Sequence, residues 1–242
     1  MRDFRHAWAF LTRLPGGRHP ESADGLTAAA PWFPLVGLVI GGIAAGTYVG
    51  LTQLVAPLVA ATITFAVTAL VTGAFHEDGL ADSFDALAGG WNPEQRLQIM
   101  KDSRHGTFGV LSLVLISMLK VSALAELGGR EAALALVAAH CAARAGAVAL
   151  MVVAPTASAT GLGADYTRSL RPLGAAAGVA VGAGSLAVAF GIDALVVGLA
   201  VAACVSAIGW WAWRKIGGVS GDLLGAAEQL SEAAVLVAAT AL

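Results

Sequence analysis

Asp78, Asp82 and Asp85 stand at i, i+4 and i+7 in the stretch "HEDGLADSFDALAGG", which begins at His76. At about 100° per residue, a helix would gather these three carboxylates within roughly 60° of one another. Three like charges on one face repel, and something must compensate them. Bulk water does this for an exposed helix, which would then carry a solvated acidic face and no chemistry. Near a membrane a divalent cation does it better. Carboxylates suit Mg²⁺ or Mn²⁺, which commonly bridge to substrate phosphates. The spacing therefore predicts Asp78, Asp82 and Asp85 as metal ligands. Glu77 points about 100° away but can reach the same ion from the helix start. Mg²⁺ prefers oxygen, so His76 reads as a hydrogen-bonding or substrate contact. Gly79 and the pair Gly89-Gly90 let backbone approach a ligand closely.

Basic residues follow. Asn92-Pro93-Glu94-Gln95 is a helix start, with Asn as cap, Pro at the first helical position and Gln95 as capping-box partner. The predicted helix 93–101 would lie along the membrane surface and deliver Lys101, Asp102, Ser103 and Arg104 beside the carboxylates. Lys and Arg there suit a phosphate-bearing substrate; the alternative is attraction to anionic lipid. "GGVSGDLLGA", Gly217 to Ala226, is a glycine-rich turn leading into a helix. It could present backbone N–H groups, at Gly221 for example, to a phosphate. Asp222 would cap that helix, or add a metal ligand or a base. Arg144 lies inside an apolar run and needs a carboxylate or phosphate partner. Lys120 lies nearer the end of its run, where snorkelling explains it.

Apolar helices must position these groups. The chain has 242 residues, 57% hydrophobic and only 12% charged, with a mean hydropathy of +0.77. A soluble domain carries about twice that charge. The composition points to an all-α, polytopic membrane bundle forming a single catalytic domain over 1–242. Runs near the 20 residues needed to cross lipid fall at 30–50, 54–75, 107–126, 131–154, 172–190, 194–213 and 223–242. That predicts about seven spans, with an interfacial amphipathic segment over 1–27 and an acidic-motif loop over 76–106. With the N-terminus cytoplasmic, Arg2, Arg5, Arg13, Arg18, Arg96, Lys101, Arg104, Arg168, Arg171, Arg214 and Lys215 share one side. Arg130 alone falls on the other, the asymmetry expected for an inner-membrane protein. The polar motifs and the 154–172 loop with Tyr166 then face the cytoplasm. Small residues at spacing four (Gly37/Gly41, Gly42/Gly46, Gly174/Gly178/Gly182) predict close helix packing in lipid.

Other features narrow the function. "MRDFRHAWAFLTRLPGG" lacks the continuous apolar core of a signal peptide, and its Phe4, Trp8, Phe10 and Leu11 would lie against lipid or protein. Cys141 and Cys204 sit in apolar runs and read as small buried residues rather than a disulfide or zinc site. A net charge of −2 argues against nucleic acid as a partner. A homo-oligomer is left open.

The motifs "HEDGLADSFDALAGG", "IMKDSRHGTFG" and "GGVSGDLLGA", with "FLTRLP" (Phe10 to Pro15) and "PWFPLVGLVIG" (Pro31 to Gly41), resemble those of the cobalamin synthase family, the adenosylcobinamide-GDP ribazoletransferases. The resemblance extends in order over nearly the whole chain. It implies a multipass membrane enzyme that joins adenosylcobinamide-GDP to α-ribazole, or to its 5′-phosphate, releases GMP and requires Mg²⁺. On that reading the acidic motif, with Asp222 and the Asp102–Arg104 motif, holds the metal and diphosphate. Lys101, Ser103, Arg144, Gly221, His76 and Arg13 would contact substrate. Arg104 would stabilise charge, and Glu77 or Asp102 would accept the hydroxyl proton. Two rivals fit less well. CDP-alcohol phosphotransferases use Asp-x-x-Asp-Gly, whereas this chain has Asp-Gly-x-x-Asp, and intramembrane prenyltransferases share only the general Asp-rich plan. A cation-coupled transporter should show inverted repeats and charges near mid-bilayer.

Overall fold

The computed structural model describes residues 2–19, 23–157 and 170–242; Tyr166 and Arg168 lie outside them. Eleven α-helices are present among the described residues and no strand: α1 (Arg2–Leu11), α2 (Ala23–Ala29), α3 (Phe33–Leu51), α4 (Pro57–Thr72), α5 (Phe75–Gly89), α6 (Pro93–Ile99), α7 (Thr107–Glu126), α8 (Gly129–Val153), α9 (Pro172–Phe190), α10 (Ala194–Ile216) and α11 (Gly221–Ala239). Proline opens α4, α6 and α9 at its favoured first position, where its missing N–H costs nothing.

Helices stand at all seven expected apolar runs, but fewer qualify as crossings. Four stretches are long and apolar enough: Thr27–Leu51, Thr107–Glu126, Gly129–Val153 and Pro172–Ile216. The last has 45 residues, more than twice what one crossing needs. A single 3₁₀ turn, Gly191–Asp193, divides it into α9 and α10, which pack on each other. α4, with 16 residues, passes only together with α5, and the two are bent by 92°. We read α5 as turning across the end of the bundle, outside the spanning set. The 76–106 stretch is therefore largely helical rather than a loop. The bend is built on Gly73 and Ala74, both in the left-handed region at φ +72° and +55°. For alanine that conformation is uncommon, and it sits directly before the His76 motif.

α11 departs most from expectation. Read as the last span, it carries Asp222, Glu228 and Glu232 and is buried along nearly its whole length against α5, α7, α8 and α10. It is a polar-cored central helix, tolerable because the other helices supply partners for its acids. The lipid-facing role falls instead to surfaces such as that of α7, where Val110, Leu111, Val114, Leu115 and Met118 are exposed.

Gly37 and Gly41 bring α3 onto α8 so closely that a Cβ at either would overlap the α8 backbone. Gly178 and Gly182 are similarly crowded by Pro31 and Ala145, whereas Gly42 and Gly46 face open space. The amphipathic α1 packs against protein: Phe10 stacks on Phe33 at 5.6 Å and meets Phe75 edge-on at 5.1 Å, and Leu11 is buried. Cys141 is buried and Cys204 half-buried, and neither forms a disulfide.

The motifs gather at one end. There the Arg13 amide donates to Val71 at 2.7 Å, Arg96 reaches the Lys215 carbonyl at 3.4 Å, and Thr156 pairs with Val219. At the other end the buried Tyr48 hydroxyl donates to the Leu124 carbonyl at 2.8 Å.

Candidate active site

α5 separates its polar residues onto two faces. Asp78 and Asp82 point outward to meet His105 from the loop before α7. His105 Nε2 lies 3.8 Å from Asp78 Oδ1, and Nδ1 lies 3.5 Å from Asp82 Oδ1. One ligand atom from each of the three falls within 4.8 Å of the others. The Asp78 side chain is 64% exposed and that of Asp82 only 14%, so the cluster is open on one side and walled on the other. Asp222 closes the wall: the Gly79 position packs directly on the Asp222 backbone. Burial first, then the charges of Asp78 and Asp222, push the Asp82 carboxyl up to about 6. Burial likewise raises Asp222. Like charges are thus held together, and among the described residues His105 is the one group that offsets them at close range.

The expected metal set changes in two places. Asp85 does not join it. Its two oxygens accept the backbone N–H groups of Gly106, at 2.5 Å, and Gly109, at 2.8 Å. A buried carboxylate at a helix start satisfies two orphan donors and the helix dipole together. Asp85 therefore anchors the start of α7, and a Cβ at Gly106 or Gly109 would collide with it. His105, absent from the expected set, is the residue grouped with Asp78 and Asp82 in its stead. The signal was available in "SRHGTFG", but a lone histidine beside Arg104 carries no spacing signature. Asp222 is not the cap of α11: Ser220 occupies that position, and its hydroxyl lies 3.4 Å from Asp222 Oδ2.

The inner face of α5 joins a second cluster. His76 Nε2 pairs with Glu228 at 3.1 Å, and Gln229 Nε2 donates to Glu77 Oε1 at 3.2 Å. The buried Glu77 Oε2 has no hydrogen-bond partner among the described residues. Arg144, 1% exposed, lies 2.7 Å from Glu228 Oε1 as an ion pair and donates to Glu232 Oε1 at 3.1 Å. Lys120 donates to Glu232 Oε2 at 2.5 Å and to Gln229 at 2.9 Å, with Phe65 under its ammonium at 4.6 Å. His140 completes the group, 2.6 Å from Glu232. The partners Arg144 needed are thus two carboxylates, so its guanidinium is committed inside the bundle. Lys120 does not snorkel; it faces α11, where Glu232 meets it. Sequence reading takes Glu228 and Glu232 only as charges that weaken the last expected span, and it misses His140 and Gln229.

The remaining expected residues lie around the rim. Asn92 Oδ1 caps α6 through the Gln95 amide at 2.9 Å, and the buried Arg96 fixes α6 by donating to the Gly90 carbonyl at 2.6 Å. Beyond α6, Lys101, Ser103 and Arg104 are exposed. Arg104 holds Asp102 at 2.7 Å and keeps that carboxyl well below the usual carboxylate range. Arg13 is exposed and lies over Gly73 at the bend. Gly221 is the first residue of α11, beside Asp222.

An open pair of carboxylates on α5, backed by a third at the start of α11, at one face of an apolar bundle, can hold a divalent cation and a phosphate-bearing ligand. Comparison with known proteins is consistent with this. The family profile described as cobalamin-5-phosphate synthase matches residues 3–240. A protein of Bradyrhizobium diazoefficiens named adenosylcobinamide-GDP ribazoletransferase is 43% identical, over 100% of this chain and 94% of its own. Proteins of the same name from Shewanella pealeana and Ralstonia nicotianae are each 39% identical. They cover 93% and 95% of this chain and 90% and 91% of their own. No solved structure matches. On profile and relatives alike, the chain belongs to the cobalamin-5-phosphate synthase family and is a transferase of cobalamin synthesis.

Proposed function

We propose that this protein transfers the adenosylcobinamide-phosphate group of adenosylcobinamide-GDP to a ribose hydroxyl of α-ribazole, or of its 5′-phosphate, with Mg²⁺ and release of GMP. The observation that carries this reading is the crowding of Asp78, Asp82 and Asp222 at one open face, in a chain whose relatives bear that name. The donor set fits the ion. Asp78 and Asp82 offer oxygens and leave an open side for phosphate and water, which is how Mg²⁺ is commonly held. Asp222 supports them from behind, and His105 bridges them.

When bound, Mg²⁺ would neutralise diphosphate charge and favour departure of GMP. The chain's own residues do the rest. The fixed starts of α5 and α11 set the acids at one distance from each other, and Asp85 holds the His105 loop in place. Lys101, exposed, and Arg104, exposed and paired with Asp102, supply positive charge to the diphosphate. The proton of the attacking hydroxyl goes to a carboxylate outside the ion's ligands: Glu77, which adjoins Asp78 but accepts Gln229 on the inner face, or Asp102, which is paired with Arg104. The end bearing Arg13, Arg96, Arg214 and Lys215 faces the cytoplasm of a bacterial inner membrane.

The test is to incubate purified protein with adenosylcobinamide-GDP, α-ribazole and Mg²⁺ and to assay GMP and the completed corrinoid by mass. The reading expects stoichiometric appearance of both, abolished by chelation. Absence of GMP from active-site-intact protein refutes it.

A further inference from the structure

A groove of about 320 Å³ runs between α9 and α10, with α8 as its floor. Small residues make it. Gly182 of α9 packs on Ala145, and Gly146 packs on Val205 of α10, so the three helices touch at the bottom. Above those contacts Ala149, Ala183 and Ala202 offer no side chain beyond Cβ, and the protein leaves a trough between the helices. Among the residues that line it Ser206 is the one polar side chain, and none is charged. An apolar trough of this kind is a poor site for water, and its walls gain dispersion contacts only from something that fills it.

Its depth points to the occupant. The 3₁₀ turn Gly191–Asp193 closes the α9–α10 hairpin at the end opposite the acidic cluster. Counted from that turn, the groove runs from Leu186 to Val179 on α9 and from Gly198 to Ser206 on α10. At about 1.5 Å per residue these positions stand about 6 to 18 Å below the helix ends. Half of the roughly 30 Å hydrocarbon layer is about 15 Å, so the groove coincides with the acyl chains of one leaflet, the one on the side of the turn. The hairpin is also the least buried of the spanning stretches, with Val188, Leu195 and Leu199 exposed on the same two helices, so the groove opens on lipid.

Bulkier occupants do not fit. A helix is about 10 Å across, and a length of about 12 Å would need on the order of 900 Å³. A second copy related by a twofold axis through the groove would set groove against groove and double the gap. We propose that the groove binds one acyl chain of a phospholipid from the leaflet on the side of the turn, held between α9 and α10 against α8. The bound chain completes the packing of α9 and α10 on α8. At about 100° per residue, His140 and Arg144 fall on the face of α8 opposite the groove, where they meet Glu232. The lipid therefore supports the inner cluster from behind and acts on stability rather than on the reacting groups.

Native mass spectrometry of the full-length protein, released from nanodiscs of phosphatidylethanolamine and phosphatidylglycerol, tests this. Wild type should retain one phospholipid more than Ala149→Phe or Ala202→Phe, whose rings fill the groove. Ala203→Phe, on exposed α10 surface outside the groove, should retain the wild-type number. Unmutated protein gives an independent readout. Stripping its lipid with detergent should lower the unfolding temperature, and adding phospholipid back should restore it with saturation, as a ligand of the folded state does. The two filled variants should respond little to the same addition. Equal lipid counts in wild type and both filled variants overturn the site. So does a wild-type dimer that both filled variants convert to monomer with the lipid count unchanged, which would make the groove an interface between copies. If neither filled variant folds, the wild-type titration decides: a recovery that never saturates overturns the proposal.

Discussion

The molecule holds two collections of charged side chains, one on each face of α5, and they obey opposite rules. In the inner one, Lys120 and Arg144 face Glu228 and Glu232, with His76 and His140 between them. Positive and negative are matched, the hydrogen bonds are mostly closed, and lipid-facing helices seal the group. In the outer one, Asp78, Asp82 and Asp222 crowd together with only His105 against them among the described residues, and one side is open. Burial of charge is often taken as a mark of function in membrane proteins. The difference teaches that compensation is the better guide. The matched cluster binds α7, α8, α11 and α5 into one body. The unmatched cluster leaves unfavourable charge that a cation and its phosphates can relieve.

The sharpest way to break the comparison is to neutralise one acid on the outer side. Asp82→Asn should lower kcat about 100- to 1000-fold, the scale seen when one preorganised electrostatic group is lost. It should leave the fold intact, and without Mg²⁺ its unfolding temperature should equal or exceed wild type, because like-charge repulsion is relieved. Turnover assays and thermal unfolding on one preparation check both halves. An inactive but destabilised variant would place Asp82 with the inner group instead.

The inner cluster should fail in the reverse manner. Glu232→Gln leaves the buried Lys120 ammonium short of a counter-charge, and breaking such a pair costs about 3–5 kcal/mol. Adding Lys120→Met should restore most of that loss, since a buried ion pair can be replaced by apolar groups at little cost. Activity per folded molecule should recover with it. A denaturation series over the two singles and the double gives the coupling. If the double is as unstable as the single, the pair is not the unit that the geometry describes.

These contrasts also explain what the sequence made legible. The acid spacing on α5, the Asn92 cap and the helix positions depend on neighbours within a turn or two, so periodicity exposes them. The inner cluster depends on pairs such as Lys120 with Glu232, 112 residues apart, and Arg144 with Glu232, 88 apart. No local rule records them. Lys120 therefore reads as snorkelling and the α11 acids as defects in a span, until the fold sets them opposite each other. Asp85 shows the complementary error. Its helical phase matches Asp78 and Asp82, but phase does not reveal that the amides of Gly106 and Gly109 arrive from another helix to claim both its oxygens.

The smallest expected effect is one of pH, and it reports the burial and like-charge crowding of Asp82 on the outer face. Asp82 is held at about 6, above the ordinary carboxyl value of about 3.9 that it takes in the unfolded chain. Between those values the folded protein binds more protons than the unfolded one, so stability must fall as pH rises through that window. Above about 6 the penalty is fully present. The metal-free protein should therefore show a slightly lower unfolding temperature at pH 7 than at pH 5. A His105→Phe background removes the neighbouring imidazole from the measurement. Mg²⁺ should oppose the slope, because its binding requires the ionised carboxylate and weakens up to about tenfold per unit below that value. Asp82→Asn in the same background should clearly reduce the slope, leaving the part that the raised Asp222 contributes. A slope undiminished by the substitution would mean the unmatched charge resides elsewhere, and the distinction between the two faces of α5 would have to be redrawn.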